Sequence, residues 1–454
     1  MSEKRSSFTG KVGFILAAAG SAVGLGNIWR FPYLAAMHGG GIFLLVYLVL
    51  AVTLGFTLLC AEIAIGRKTG MSAINAFKKL DKKYSFIGWI ASIVPMIILP
   101  YYSVIGGWVT KYIAVYATGK ASTAAGDSFF GSFTTQAVEP IIWFLVFVGI
   151  TALIVLFGVE KGVEKVSKIM MPLLVVLTVF IAVYVMFMDG AMKGVAFYFK
   201  PDFSKFSVVT VLAALGQLFY SMSLAMGIMI TYGSYMKKDI NIESSVRSIE
   251  LFDTGIAFFA GLMVVPAVFS FYGGDEAVLE DNLKAGASLM FKILPKVFNE
   301  IPGGAFIGIV FFVLVFFAAL TSSISLMETV VSILRDKLGW SRKFTCLIVF
   351  IGCIVIGVPT SLGYGLLDMI HIGGFYILEM LDFVSNSIIM PIVALLTCLF
   401  IGYVIKPKCI CEEIENGSKF KSKKMFTVMI KYIAPVCIVL ILIFSVVDAI
   451  FGVA

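Results

Sequence analysis

The chain has 454 residues, of which 60% are hydrophobic and only 14% charged, with a formal charge of +8 and a mean hydropathy of +1.02. A soluble domain is about 45–50% apolar and about 25% charged, so the composition argues against a soluble enzyme or a nucleic-acid-binding domain and for an all-α polytopic membrane protein. A membrane β-barrel alternates polar and apolar residues and lacks apolar runs of this length.

Apolar segments lie at roughly 12–37, 41–66, 87–117, 140–158, 168–188, 207–236, 250–272, 304–334, 344–360, 374–404 and 428–450, about eleven spans at about 20 residues per crossing. The start, Met1 to Lys11, is polar and basic, and no small-residue cleavage site follows, so a cleavable signal peptide is not expected. The first span contains Gly20-Ser-Ala-Val-Gly-Leu-Gly-Asn-Ile-Trp-Arg-Phe-Pro32. Each glycine costs a helix about 1 kcal/mol, and Arg30 at membrane depth costs several more. Irregular backbone at that depth is tolerated only where it lines a cavity, so the first span is predicted to be broken beside a site. Loops on one side carry roughly 25 basic residues and the alternate loops about 7, which places the N terminus in the cytoplasm. With an odd number of spans the C terminus is then outside, and the positive charge is accounted for by cytoplasmic loops without invoking nucleic acid.

A second break is expected in the sixth span, at Ser221-Met-Ser-Leu-Ala-Met-Gly227 after Gly216 and Gln217. Interrupted helices at matching places of two inverted units are the sequence pointer to a mid-membrane transporter site. The chain then reads as one transmembrane domain over 1–454, with five-helix repeats at 11–190 and 206–404 and a further helix at 425–451. Small residues that merely allow close helix packing are the alternative; they account less well for two breaks at corresponding positions. The outer loop 274–302 carries an amphipathic pattern from Leu283 to Phe298 and is either a lid or an interfacial helix. The seven cysteines contain no C-x-x-C pair, so neither a metal cluster nor a disulfide framework is indicated.

A broken helix exposes carbonyls at one half's end and N–H groups at the other's start. Carbonyls suit a cation or an ammonium and N–H groups suit a carboxylate, which together favour an α-amino acid. Thr321 and Ser322 can add hydroxyl ligands for Na⁺, unless they only bond back to their own helix. Asp253 and Asp382 are intramembrane carboxylates, functional by default. Arg30 is expected to pair with Asp382 on the outer side, and Arg5 with Asp336 on the inner side. Glu62 and Lys111 fall at span edges and are expected to snorkel.

These residues together resemble the sodium:neurotransmitter symporter family in its prokaryotic amino-acid branch, with the LeuT-type fold. The resemblance rests on the 20–32 motif, Gly39-Gly-Gly41, 221–227, Ile230-Thr-Tyr-Gly-Ser-Tyr235, Leu320-Thr-Ser-Ser323 and Leu381-Asp-Phe383, in that order. It implies two sodium sites: one from Ala22, Asn27, Ser221 and an acidic or amide position in the seventh span, read as Asp253, and one from Gly20, Val23, Ala318, Thr321 and Ser322. It implies that the substrate amine meets Ala22, Tyr220, Ser221 and Ser223, and the carboxylate meets Leu25, Gly26 and Tyr102. The side-chain subsite would be Ile98, Ile105, Met226, Ser322 and Leu326. Tyr102 and Tyr220 would form an aromatic lid, Arg30 and Asp382 an outer gate, and Arg5, Tyr235 and Asp336 an inner gate. Phe8 stands where the family commonly has Trp, and Tyr220 where Phe is common. Tyr47, Gln217, Ser221 and Asp253 match the place where chloride-dependent relatives bind the anion; a fixed carboxylate there predicts chloride independence. Gly162 and Pro172 match a spacing linked to inner-side unwinding of the fifth span.

The expected function is sodium-coupled symport of an amino acid, hydrophobic or aromatic, across the cell membrane by alternating access. The alternatives are a proton-coupled carrier of the same architecture, with Asp253 carrying the proton, and a sensor that binds an amino acid without moving it. No P-loop is present and His38 and His371 are the only histidines, so no enzyme is expected.

Overall fold

The computed structural model describes residues 7–273, 289–416 and 418–451. The main helices are α1 (Lys11–Ala22), α2 (Gly26–Met37), α3 (Gly41–Thr69), α4 (Lys82–Ala117), α5 (Glu139–Leu156), α6 (Val159–Met186), α7 (Val208–Ser221), α8 (Ile228–Ser234), α9 (Ile242–Phe271), α10 (Gly304–Leu338), α11 (Arg342–Leu362), α12 (Ile377–Val404) and α13 (Lys423–Val447). The described residues form no strand, only two isolated bridges. Among the described residues nine helices are long and apolar enough to cross a bilayer unbroken, and α1 with α2, bent by 55°, gives a tenth if the pair is one crossing. The expectation of about eleven crossings at about 20 residues each is met if α7 and α8, separated by non-helical Met222–Gly227, are counted as one interrupted crossing.

Residue size decides how closely these helices approach. A Cβ on Gly66 would lie 1.9 Å from the Ile230 carbonyl oxygen, and one on Gly233 would lie 2.3 Å from the Ile63 oxygen, so α3 and α8 touch backbone to backbone. Small residues are what allow such approaches where lipid supplies no hydrophobic drive. Large apolar side chains such as Leu153, Val176, Leu347 and Val436 instead stay exposed on the outer faces, as a lipid-facing surface requires.

The loop after α12 is built rather than loose. Its helix Lys406–Glu415 buries Ile410, Cys411 and Ile414. The buried Arg67 guanidinium donates to Glu413 Oε1 at 2.9 Å and to the Ile240 carbonyl at 2.5 Å. Segment 289–300 is helical and buries Leu289, Met290, Phe291, Leu294 and Phe298. Phe291 packs on Trp29, Trp108, Tyr112 and Phe130, so this part of the outer loop covers protein and not lipid. Residues Leu283 and Ala287 of the amphipathic pattern lie outside the described residues.

Gly66→Val is expected to force α3 and α8 apart and to destabilise the protein by about 1–3 kcal/mol, read as a lower unfolding midpoint in detergent. Gly149→Ala, where a Cβ meets nothing within 4 Å, should leave the midpoint unchanged or slightly raised.

Candidate substrate and cation site

α1 stops at Ala22 because Val23 turns extended, at φ −75° and ψ 102°. The N–H groups that the break frees find partners nearby: Gly24 N–H donates to Asn27 Oδ1 at 2.9 Å, and Leu25 N–H donates to the Tyr102 hydroxyl at 3.2 Å. The second break is held by positive φ at Ser223 (52°), Ala225 (60°) and Gly227 (70°). For a non-glycine residue that conformation is disfavoured. The Ala225 N–H is anchored by Glu62 Oε1 at 2.7 Å, while Glu62 Oε2 is buried with no hydrogen-bond partner among the described residues. Glu62 is 3% exposed, so the expectation that it snorkels is corrected: it is turned inward, toward the break. Lys111, at its span edge, pairs with Glu139.

The two breaks face each other. Ser223 Oγ donates to the Ser21 carbonyl at 2.9 Å, and Ser21 Oγ donates to Ser223 Oγ at 3.2 Å. Between them lies a cavity of about 30 Å³, space for roughly two waters. Its walls include Ala22, Leu25, Gly26, Ile98, Tyr102, Tyr220, Ser221, Ser223, Met226, Ser322 and Leu326, with Asn27, expected as a sodium ligand, and Ser21, Gly24 and Ile228, for which the sequence carried no expectation. Ile105, expected in the side-chain subsite, is buried and is not among the cavity's lining residues. Tyr220 is pressed onto the first break, since a Cβ on Gly26 would lie 2.5 Å from its ring.

Two oxygen clusters flank this cavity. Ser322 Oγ donates toward the carbonyls of Ser21 (3.1 Å), Gly20 (3.4 Å) and Val23 (3.4 Å). Thr321 Oγ1 donates to the Phe317 and Ala318 carbonyls at 2.9 and 3.2 Å, and a Cβ on Gly20 would lie 3.3 Å from Thr321 Cβ. Hydroxyls and freed carbonyls of α10 and α1 are thus gathered at one point. The second cluster centres on Asp253, fully buried. Its Oδ1 accepts from Asn27 Nδ2 at 2.7 Å and Ser221 Oγ at 2.6 Å, and its Oδ2 from the Tyr47 hydroxyl at 3.2 Å. Gln217 is turned away from Asp253 and donates to the Gly26 carbonyl at 3.0 Å. The donors to Asp253, from Asn27, Ser221 and Tyr47, are all neutral, so a buried carboxylate here leaves a charge for a cation to balance. Among the described residues no cluster of three or more His, Cys, Asp or Glu side chains suits a metal ion; the two clusters consist of neutral oxygens and one carboxylate.

Of the residues expected at an outer gate, the Arg30 guanidinium lies 5.5 Å from the centroid of the Tyr220 ring. Asp382 accepts from Asn386 Nδ2 at 2.6 Å. The expected Arg30–Asp382 pair is not a direct contact: among the described residues no salt bridge within 4.0 Å joins them, and each is held by a different neighbour. Of the residues expected at an inner gate, Arg5 lies outside the described residues. Asp336 accepts from the Ser72 N–H and hydroxyl at 2.8 and 2.6 Å. Tyr235 donates to Glu328 Oε1 at 2.8 Å, and Glu328 is paired with Arg342. Phe8 is edge-on to Phe14, Tyr232 and Tyr235. Thr9 is tied by its N–H to Glu164 Oε2 (2.9 Å) and by its carbonyl to Lys237 (2.7 Å). These contacts fasten the chain start under the cavity. Gly162 sits in a π-helical turn, Val159–Glu164, and Pro172 lies inside the unbroken α6, so the segment linked to unwinding is helical here.

The strain at Ala225 is testable. Ala225→Gly is expected to raise the unfolding midpoint, relieving about 1 kcal/mol, whereas the β-branched Ala225→Val should lower it.

Comparison with known proteins agrees with this geometry. A profile of the sodium:neurotransmitter symporter family matches residues 5–128 and 132–451. The chain is 36% identical to the uncharacterized sodium-dependent transporter YhdH of Bacillus subtilis, over 97% of this chain and 98% of that protein. It is 25% identical to the sodium- and chloride-dependent taurine transporter of Rattus norvegicus, over 91% of this chain and 73% of that protein. Among solved structures, that of MhsT in complex with L-phenylalanine is similar at a TM-score of 0.88 and 37% identity, covering 97% of this chain and 100% of that one. A broken first helix facing a broken partner, and a family match over nearly the whole length, lead to one conclusion: the chain belongs to the sodium:neurotransmitter symporter family and is a multi-pass, sodium-dependent membrane transporter.

Proposed function

We propose that the protein carries a hydrophobic amino acid together with Na⁺ into the cell by alternating access. The observation that carries the reading is the facing of two helix breaks across one small cavity with apolar walls. Ile98, Met226, Ile228 and Leu326 offer an apolar subsite; the freed carbonyls near Ala22 and Ser221 suit an ammonium, and the N–H groups of Leu25 and Gly26 with the Tyr102 hydroxyl suit a carboxylate. That MhsT is seen with L-phenylalanine supports a hydrophobic substrate. A methylene in a pocket wall is worth only about 1–3 kcal/mol, so the residue types favour a class and not one amino acid. Entry requires Tyr220 and Met226 to swing aside; Met is adaptable enough for this.

In this reading one Na⁺ sits among Ala22, Asn27, Ser221 and Asp253, and a second among Gly20, Val23, Ala318, Thr321 and Ser322. Both are cargo that drives transport: one charge falling through 100 mV supplies about 2.3 kcal/mol. The Asp253 carboxylate occupies the place beside Tyr47 and Ser221 and makes chloride unnecessary. Outer closure brings Tyr220 and Tyr102 over the substrate with Arg30 and Asp382 above; inner opening releases Phe8 and Thr9 and the contacts of Tyr235 and Asp336. The breaks are corresponding parts of two inverted units, 11–190 and 206–404, with 425–451 added, and the N terminus lies in the cytoplasm of a cell whose plasma membrane holds the protein. A proton-coupled version is favoured by one observation, the neutral donors around Asp253, which leave its charge to be balanced by either H⁺ or Na⁺.

Binding of labelled leucine, phenylalanine, tyrosine and tryptophan to purified protein separates the readings. Binding in Na⁺ that falls at least about tenfold in K⁺ or choline, and is lost in Asn27→Ala and Thr321→Ala, is expected. Binding that ignores Na⁺ and follows pH would move the coupling to a proton on Asp253. Replacing chloride by gluconate should leave sodium-dependent binding unchanged; a collapse would contradict the role given to Asp253.

A further inference from the structure

At the end of the bundle opposite Phe8, a short helix, Ala191–Phe199, follows α6 and carries three distinct stripes. Ala191, Gly194 and Tyr198 are buried; a Cβ on Gly194 would lie 2.7 Å from Pro266 Cα, and Tyr198 donates to the Phe258 carbonyl at 3.2 Å. Met192 and Phe199 are exposed, at 63% and 48%, on a helix that needs no such side chains in water. Lys193 and Lys200, seven residues apart, form the third stripe and are also exposed. The exposed apolar surface continues through Phe187, Phe203 and Val208, exposed at 84%, 72% and 71%.

The lysines border a cavity of about 580 Å³ whose walls also include Lys205, Phe197 and Phe269. Asp202 lies in the same wall; its Oδ1 accepts from the Ser204 N–H and hydroxyl at 2.9 and 2.6 Å, and its charge offsets part of that of Lys200 and Lys205 without an ion pair to Lys200. Neither Lys193 nor Lys200 forms a salt bridge among the described residues. The position is built and not adventitious. Gly39 and Gly40 hold φ of +82° and +54°, and Cβ atoms on Gly40 and Gly41 would lie 2.3 and 2.4 Å from the Phe197 and Phe199 carbonyls. The glycine run between α2 and α3 is therefore the cradle into which this helix is seated, closed by a bridge between Gly40 and Pro201.

Basic residues are scarce in the loops at this end of the chain, yet two unpaired ones flank one cavity beside an apolar stripe. A helix with an apolar stripe next to a basic one lies in the membrane interface and engages anionic lipid, with the lysine stems along the tails and the ammonium groups at the headgroups. We propose that Lys193 and Lys200 form a headgroup site for an anionic glycerophospholipid, its acyl chains lying along Met192 and Phe199. Given the orientation proposed above, the lipid belongs to the outer leaflet.

The test uses the full chain in nanodiscs containing a trace of photoactivatable phosphatidylglycerol or phosphatidylcholine of identical acyl chains, with labelled peptides mapped by mass spectrometry. Labelling of segment 187–208 should favour phosphatidylglycerol by at least about fivefold, roughly the factor a single lysine near an anionic surface confers. Lys193→Gln with Lys200→Gln should bring the two lipids to parity, and the paired Lys→Arg variant should restore the preference. Met192→Gln with Phe199→Gln should lower labelling by both lipids. Equal labelling in the unmodified protein, a preference that survives Lys193→Gln with Lys200→Gln, or its displacement by millimolar inorganic phosphate would overturn the proposal, the last by making the site one for a free anion.

Discussion

Breaking a helix in the middle of a bilayer leaves backbone carbonyls and N–H groups with no water to bond, and each unpaired group costs several kcal/mol there. The rest of the structure is arranged around that constraint. Asn27 caps the Gly24 N–H, Tyr102 accepts from Leu25, Gln217 donates to Gly26, Ser322 and Ser223 donate to the carbonyls of residues 20 to 23, and Glu62 reaches across from α3 to hold Ala225. Close packing follows from the same need. α3 must approach α8 to bring Glu62 to the second break, and Gly66 and Gly233 are what let it do so.

These side chains satisfy the freed groups only in part, and that remainder is where chemistry enters. Ser322 Oγ is shared among three carbonyls at 3.1–3.4 Å, long for an O–H donor with a single partner. Asp253 has three neutral donors around one buried charge. In the function proposed above, a cation completes both clusters, and an amino acid's ammonium and carboxylate meet the ends of the breaks. Residues 8 and 9 are fastened to α6 and to Lys237, with Glu328, Arg342 and Tyr235 beside them; in the function proposed above, these contacts close the inner path. α1 carries the first break and is joined directly to Phe8 and Thr9, which in that function ties binding at the break to closure at this end.

The first break was legible because Gly20, Gly24, Gly26, Asn27 and Arg30 contradict an apolar run, and the second because Ser221–Gly227 does the same. Their local composition alone forbids an ordinary lipid-facing helix. Most of the cavity wall followed from residues within or next to the breaks. What was not legible depends on distant parts meeting. Glu62 sits near a span end, and only the approach of α3 to α8 makes it an internal partner. Arg30 and Asp382 have opposite charges at suitable depth, yet an aromatic face for one and an amide for the other took the place of a direct pair. The glycines at 39–41 stood out in the sequence with no stated purpose; their reason is a helix some 150 residues later in the chain, pressed against them at Phe197 and Phe199.

In the proposed function a sodium gradient does work on an amino acid at the facing breaks. Uptake of labelled leucine or phenylalanine into proteoliposomes, with Na⁺ outside and K⁺ inside, measures this directly. Accumulation above the external concentration that disappears when a sodium ionophore dissipates the gradient is expected. Uptake that only equilibrates, or that is driven equally by a pH gradient without Na⁺, would contradict it.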